Sequence, residues 1–225
     1  YGKYYIRSAD EDRVMNPSLL RDYMQLTENI DFLVEERAPS QDLTFNTLNI
    51  LYLGKGFSLD SKTYAHNLGL LCKDGKYNLL AWLLCDNNDL SVKVATFSGT
   101  DKSNLVKRNE YGFKSLIVAM EQVLNYIESI NETKVTINGA KRDTISLFDF
   151  SCFREGWANA CIHNNWSSML APSVYIFSDR IEILSYGGLR RDLTPQEFFQ
   201  GISKPVNRRL QSIMEQLGYG EQTGH

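Results

Sequence analysis

An α/β (α+β) fold is predicted by three features of the sequence. Short apolar runs bounded by turn residues, at 77–85, Ser91–Phe97, 174–177 and 180–185, read as strands. Longer stretches with apolar residues every three or four positions read as helices, the clearest at 113–130. Apolar residues make up 43% of the 225 and charged residues 23%, an ordinary globular balance with enough apolar surface for a core. The expected architecture is a set of helices on a mixed or antiparallel sheet at 133–225, a smaller α+β unit at 40–132, and an opening segment at 1–39.

In order along the chain, Tyr4-Tyr5-Ile6-Arg7 reads as a strand with no partner before it, and no Met starts the sequence. The expectation is a piece of a longer polypeptide. Asn16 and Pro17 suit the cap and first position of a helix, and Arg37-Ala-Pro-Ser40 reads as a linker. Thr44 is expected to cap a helix carrying Phe45, Leu48, Leu51 and Tyr52, and Ser61 a helix at 62–68. A turn follows at Lys73-Asp74-Gly75-Lys76, then the runs at 77–85 and 91–97, expected as adjacent strands. The helix at 113–130 aligns Leu116, Ile117, Met120, Val123, Leu124 and Ile127 on one stripe. Asn138-Gly139 between alternating apolar residues predicts a hairpin. Asp149 or Ser151 caps a helix reaching about 164, two strands follow, and Thr194-Pro195 and Asn207 open two more helices.

Composition excludes several classes. The longest apolar runs fall far short of the ~20 residues of a membrane helix. A net charge of −3 and a pI near 5.7 argue against gripping a phosphate backbone by charge alone, so weak DNA binding without sequence preference is expected. Cys72, Cys85, Cys152 and Cys161 lack C-x2-C spacing and sit among apolar neighbours, which predicts buried thiols in a reducing cytoplasm. No structural metal is expected.

The stretch 153–163 carries the most chemistry. Glu155, Asn159 and His163 stand at i, i+4 and i+8, within an arc of roughly 80° at helical pitch. A row holding an acid, an amide and an imidazole is either a ligand surface or a solvated stripe. Tyr186-Gly187-Gly188-Leu189 directly follows a strand, where glycines allow close backbone approach, although a plain turn needs them too. Gly218 and Gly220 open a glycine-rich tail that runs to Gly224.

Taken in order, Glu155-x3-Asn159-Ala160-x2-His163, Asp179-Arg-Ile-Glu-Ile183, Ser185-Tyr-Gly-Gly-Leu189, Ser203-Lys-Pro-Val-Asn207 and Glu221-Gln-Thr-Gly224-His225 resemble one family. It is the divergent histidine-kinase-like (GHKL) ATPase domain of prokaryotic proteins labelled RecG-like helicases or transcriptional regulators. Leu68-Gly-Leu-Leu71, Leu79-Leu-Ala-Trp-Leu-Leu84 and Phe97-Ser-Gly99 are similar to the segment preceding that domain, and Tyr4-Tyr-Ile-Arg7 to the last strand of the AlbA-like DNA-binding domain that begins such proteins.

The resemblance implies ATP and Mg2+ as cofactors. Asn159 matches the amide that holds the Mg2+ bridging the phosphates, and Glu155 the general base that activates water; His163 lies on the same row. Ser185, Gly187 and Gly188 fall on the box that reads adenine, with Ser185 where the family has Asp, and Gly218, Gly220 and Gly224 on the phosphate-wrapping box. Hard oxygen donors suit Mg2+, which keeps waters and needs few protein ligands. It also implies DNA as partner through an N-terminal domain, and a homo-oligomer is among the expected states. No G-x4-G-K-[ST] occurs in the 225 residues, so a P-loop helicase motor is not encoded in them. Three functions follow: a nucleotide-responsive regulatory module, an ATPase-like scaffold or dimerisation unit without nucleotide, or an active ATPase.

Overall fold

The computed structural model describes residues 3–8, 11–17, 20, 31–131, 133–138, 141–187, 194–200 and 206–219. The chain begins with an antiparallel pair, β1 (Tyr5–Ser8) and β2 (Glu11–Val14), so the opening strand finds its partner after it. Pro17 and Leu20 are helical, with the Leu20 N–H donating to the Asn16 carbonyl at 3.0 Å. Four short helices follow: α1 (Phe32–Glu35), α2 (Asn46–Gly54), α3 (Tyr64–Asn67) and α4 (Leu79–Leu84). Then come β3 (Ser91–Phe97), β4 (Leu105–Gly112), the long α5 (Leu116–Ile130) and the hairpin β5 (Thr133–Asn138) with β6 (Lys141–Ser146). Helix α6 (Phe150–Ile162) leads through a 3-10 turn (Trp166–Ser168) to β7 (Ser173–Ile176) and β8 (Ile181–Leu184), then α7 (Pro195–Phe199) and α8 (Arg208–Leu217).

The principal sheet has the order β4-β3-β7-β8, with β3 and β7 parallel and the outer pairs antiparallel. Two strands far apart in sequence therefore form its centre, and the expected boundary at 132/133 runs between strands of one sheet. Val92, Val94 and Val174 point into a core that also holds Leu33, Leu48, Leu80, Ile117, Trp157, Leu210 and Met214. The stripe foreseen for 113–130 is buried in full at Leu116, Ile117, Met120, Val123, Leu124 and Ile127.

Within the run 77–85, Leu79–Leu84 form a helix and not a strand, and Tyr77 and Asn78 make only isolated bridges. Leu-Leu-Ala-Trp-Leu-Leu contains no β-branched residue. Asn78 caps it, its side-chain oxygen accepting from the Ala81 N–H at 3.0 Å. All six residues are buried, so every face is apolar and the helical period leaves no trace in the sequence. Strand β4 went unforeseen because Leu-Val-Lys-Arg-Asn-Glu-Tyr-Gly is mostly exposed and carries three charges.

Helix α2 is capped by Asp86 rather than Thr44. The Asp86 carboxylate accepts from the N–H groups of Asn46 at 2.9 Å and Thr47 at 2.7 Å. The expected Ser61 cap is likewise replaced: Asp60 accepts from Lys62 and Thr63, and the helix shrinks to four residues. Arg37-Ala38 is no free linker, since Ala38 is buried and its N–H donates to the Tyr77 carbonyl at 2.9 Å. Of the cysteines, Cys85 and Cys161 are buried, but Cys152 is exposed and Cys72 half-buried, all as free thiols. Cys152 falls in the first turn of α6 on its outer side, where apolar sequence neighbours do not cover it.

Candidate functional site

Helix α6 is built to show one face. Asp149 caps it, accepting from the N–H groups of Ser151 and Cys152 and from the Ser151 hydroxyl, which holds the Asp149 carboxyl below its usual range. The Asp149 charge in turn pushes the Cys152 thiol up, leaving it a poor nucleophile. Phe153, Trp157, Ala160 and Cys161 are buried, and the Trp157 indole N–H donates to the Met120 carbonyl on α5 at 3.3 Å. Gly156 lets the helix lie close on β8, since a Cβ there would meet Ile183 at 3.3 Å.

The predicted row occupies the remaining face. Glu155 is exposed, Asn159 is half-buried, and half-buried His163 forms the helix end, its N–H donating to the Asn159 carbonyl at 2.9 Å. Among the described residues, neither the Glu155 carboxylate nor the Asn159 side-chain amide has a hydrogen-bond partner. The glycine turn lies at the His163 end. The Asn165 N–H donates to the Tyr186 carbonyl at 2.8 Å, and the Tyr186 N–H donates to the side-chain oxygen of Asn164 at 2.8 Å. Gly187 has φ +114°, and a Cβ there would meet the Asn165 Cβ at 3.3 Å. Its lack of a side chain thus serves contact with the end of α6. Ser185 is exposed just beyond β8. Gly188 lies outside the described residues.

Gly218 is not brought to this turn. It ends α8 in the left-handed conformation, φ +87°, with its N–H donating to Glu215 and the next N–H, of Tyr219, to Met214. Its neighbour is Lys55 at the end of α2, and Tyr219 is pushed up by burial and by a hydrogen bond to Glu121. The glycine turn instead adjoins the start of α8, a helix length of about 15 Å away. Gly220 and Gly224 fall outside the described residues.

Two residues whose part in the site the sequence does not reveal organise it. Asn164, fully buried, receives the Tyr186 N–H and donates to the Leu170 carbonyl at 2.8 Å. Asn207, 1% exposed, donates to the carbonyls of Ile162 at 2.7 Å and Asn164 at 2.8 Å. Together they join the end of α6, the turn after β8 and the start of α8. Asn207 is marked in the sequence only as a helix start and as the end of Ser203-Lys-Pro-Val-Asn207, and Asn164 only as the approximate end of α6; neither signal shows that they bind each other.

Chemically, the row offers a carboxylate and an amide oxygen one helical turn apart. Both are hard donors, and they fit a Mg2+ ion whose remaining ligands are phosphate oxygens and waters. Among the described residues, no group of three or more His, Cys, Asp and Glu converges as a self-sufficient metal site. No helix among them is long and apolar enough to cross a membrane.

Residues 171–225 match an ATPase-like domain family described as "Putative ATP-dependent DNA helicase recG C-terminal". Among solved structures, the chain is similar to the DIP2311 protein from Corynebacterium diphtheriae, at 15% identity and a TM-score of 0.69. That likeness shows a shared fold over 98% of this chain and 46% of the other, so the chain spans about half the length of that structure. No curated protein matches the chain.

Proposed function

We propose that this chain, ATPase-like in its C-terminal quarter, is the ATP-binding regulatory module of a larger DNA-binding transcriptional regulator. One observation supports the reading: among the described residues, the side chains of Glu155 and Asn159 have no hydrogen-bond partner, on the helix whose end is tied, through Asn164, to the turn at Tyr186 and Gly187. Asn159 would hold Mg2+ against the nucleotide phosphates, and Glu155, one turn away, would accept a proton from a water. Ser185 and Gly187 would border the base. DNA would be bound by a separate N-terminal domain, since the net charge of −3 gives these residues little attraction for phosphate.

A second reading, an ATPase-like scaffold without nucleotide, is favoured by two details. Ser185 presents a hydroxyl where the resemblance calls for a carboxylate. Gly187 is explained by its contact with Asn165 rather than by a ligand. Calorimetric titration with Mg-ATP separates the two. Heat of binding that disappears in Asn159→Ala, with unchanged thermal stability, supports the module. Absence of binding in the chain and in a longer protein that includes its flanking regions supports the scaffold.

A further inference from the structure

We infer that the outer edge of β4 is a docking surface for a second copy of this chain, paired antiparallel about a two-fold axis at Asn109. Among the described residues, β4 is an edge strand bonded only to β3. An open edge presents a row of unpaired N–H and C=O groups, which folded proteins cover or blunt. Here it also presents bare apolar side chains: Leu105 is 55% and Val106 65% exposed, and Phe113, just past the strand, is 57% exposed.

The charges select the partner and the register. Lys93 pairs with Glu110 and Ala95 with Arg108, so Arg108 and Glu110 share one face of the sheet. Val94 pairs with Asn109 and Val92 with Tyr111, so Lys107, Asn109 and Tyr111 share the other. Two copies that continue one sheet must match like faces, which places the axis on a residue and not between two. Centred on Asn109, the pairing sets Arg108 of each copy opposite Glu110 of the other, twice. Lys107 then faces Tyr111; beyond it the bulge at Val106 ends the regular ladder, and Leu105 and Val106 lie toward the buried Gly112 and the exposed Phe113 of the second copy.

Neighbouring registers are worse. An axis on Arg108 opposes two arginines and puts Val106 against Glu110; one on Lys107 opposes two lysines; one on Glu110 opposes two carboxylates. Like charges directly opposite destabilise a strand pair and opposite charges stabilise it. Among the described residues, Glu110 is held by the Ser91 hydroxyl and the Lys107 ammonium lies over the Tyr126 ring at 5.0 Å, while Arg108 is exposed. A second copy therefore fits this edge in one register, through complementary charge and through the apolar side chains at its ends.

Sedimentation velocity over a concentration series tests the inference on the 225-residue chain. A concentration-dependent dimer is expected. Arg108→Glu or Glu110→Arg alone should weaken it at least tenfold, and the double exchange should restore it. Both sites are exposed, so circular dichroism and thermal midpoints should stay near those of the parent chain. The register has its own readout. Opposed Cα atoms in an antiparallel pair lie about 4.5–5.5 Å apart, within disulfide range. Asn109→Cys, in a chain with Cys72 and Cys152 changed to Ser, should cross-link into covalent dimers under mild oxidation. A chain monomeric at every concentration overturns the inference. So does a dimer indifferent to Arg108→Glu, or one in which Asn109→Cys does not cross-link.

Discussion

The side-chain amide of Asn207 bridges two main-chain carbonyls at the end of α6, those of Ile162 at 2.7 Å and Asn164 at 2.8 Å. The last carbonyls of a helix have no partner within it, and that of Ile162 is one of these; the Asn164 carbonyl, two residues on, also accepts from the Trp166 N–H at 3.0 Å. Asn207 donates to both, and Asn164 passes the connection on to Tyr186. The position of the glycine turn relative to Asn159 therefore depends on a residue 48 positions beyond Asn159 in the sequence.

Asn207→Ala should be strongly destabilising. It strands the Ile162 carbonyl, while the Asn164 carbonyl keeps the Trp166 N–H at 3.0 Å, and a buried unsatisfied acceptor costs about 1–3 kcal/mol. A loss of about 1–3 kcal/mol in urea unfolding is expected on that basis, with the slope of the transition unchanged. Leu210, Ile213 and Met214 stay available to pack, so the folded state should persist at low denaturant. A loss within about 0.5 kcal/mol, the range of ordinary surface changes, would show that the bridge contributes little.

Two glycines with unusual backbone angles should respond very differently to alanine. At Gly112 an added Cβ would lie 2.0 Å from the Leu90 carbonyl oxygen, a backbone atom that cannot move aside without breaking the β3–β4 pairing. Gly112→Ala should fail to yield stable protein. At Gly75, φ +78°, nothing lies within 4 Å of the added atom, so only the left-handed strain remains, about 1–2 kcal/mol. Expression and melting of the two variants side by side check the contrast. Equal stability would mean that the close approach at Leu90 is relieved in solution.

The difference between what was foreseen and what was not follows the range of the forces involved. Strands β7 and β8, the amphipathic α5 and the Asp149 cap depend on neighbours within a few residues, and all are legible in the sequence. The start of α7 at Thr194-Pro195 is too; the structure adds there a reciprocal pair of hydrogen bonds between Thr194 and Glu197. The cap on α2 is not, because Asp86 reaches Asn46 and Thr47 across 40 residues. Nor is the helical state of Leu79–Leu84, where complete burial removes the period that distinguishes helix from strand. For the candidate site, spacing gives the row Glu155, Asn159 and His163, but the Asn164–Asn207 connection exists only in three dimensions.

Asp86 should make stability pH-dependent in the acid range. Burial raises its pKa, but hydrogen bonds from Thr47, Thr44 and Asn46 outweigh this and bring it from 3.8 to about 2. A folded-state pKa below the unfolded value means that the carboxylate stabilises the fold above the unfolded pKa. That contribution fades as pH falls below about 4 and is gone once pH passes through about 2. Asp86→Ala should therefore cost about 0.5–2 kcal/mol at neutral pH, the value of a helix cap. The gap between parent and variant in urea unfolding should narrow between pH 5 and pH 3, the interval approaching the folded pKa of about 2. A gap that stays constant over that interval would separate the cap from its charge.

Ser185→Asp tests the candidate nucleotide site by gain rather than loss. In the proposed module the residue at the end of β8 faces the adenine amino group, and a serine hydroxyl is a weaker acceptor there than a carboxylate. A hydrogen bond to a charged partner contributes roughly 1.5–3 kcal/mol, about ten- to a hundredfold in affinity. The parent chain should bind Mg-ATP weakly and hydrolyse it below detection. Ser185→Asp should tighten binding by about tenfold or more on the same scale. GTP, which lacks the amino group at that position, should gain nothing. Because Ser185 is exposed, the substitution should leave the melting temperature unchanged without nucleotide. Asn159→Ala placed on top of it should weaken Mg-ATP much more than ATP without metal, since that amide would act through Mg2+. A parent chain that already binds Mg-ATP at low micromolar concentration would remove the role given to Ser185. An equal gain for GTP would show that the new charge acts on the surface at large rather than on the base.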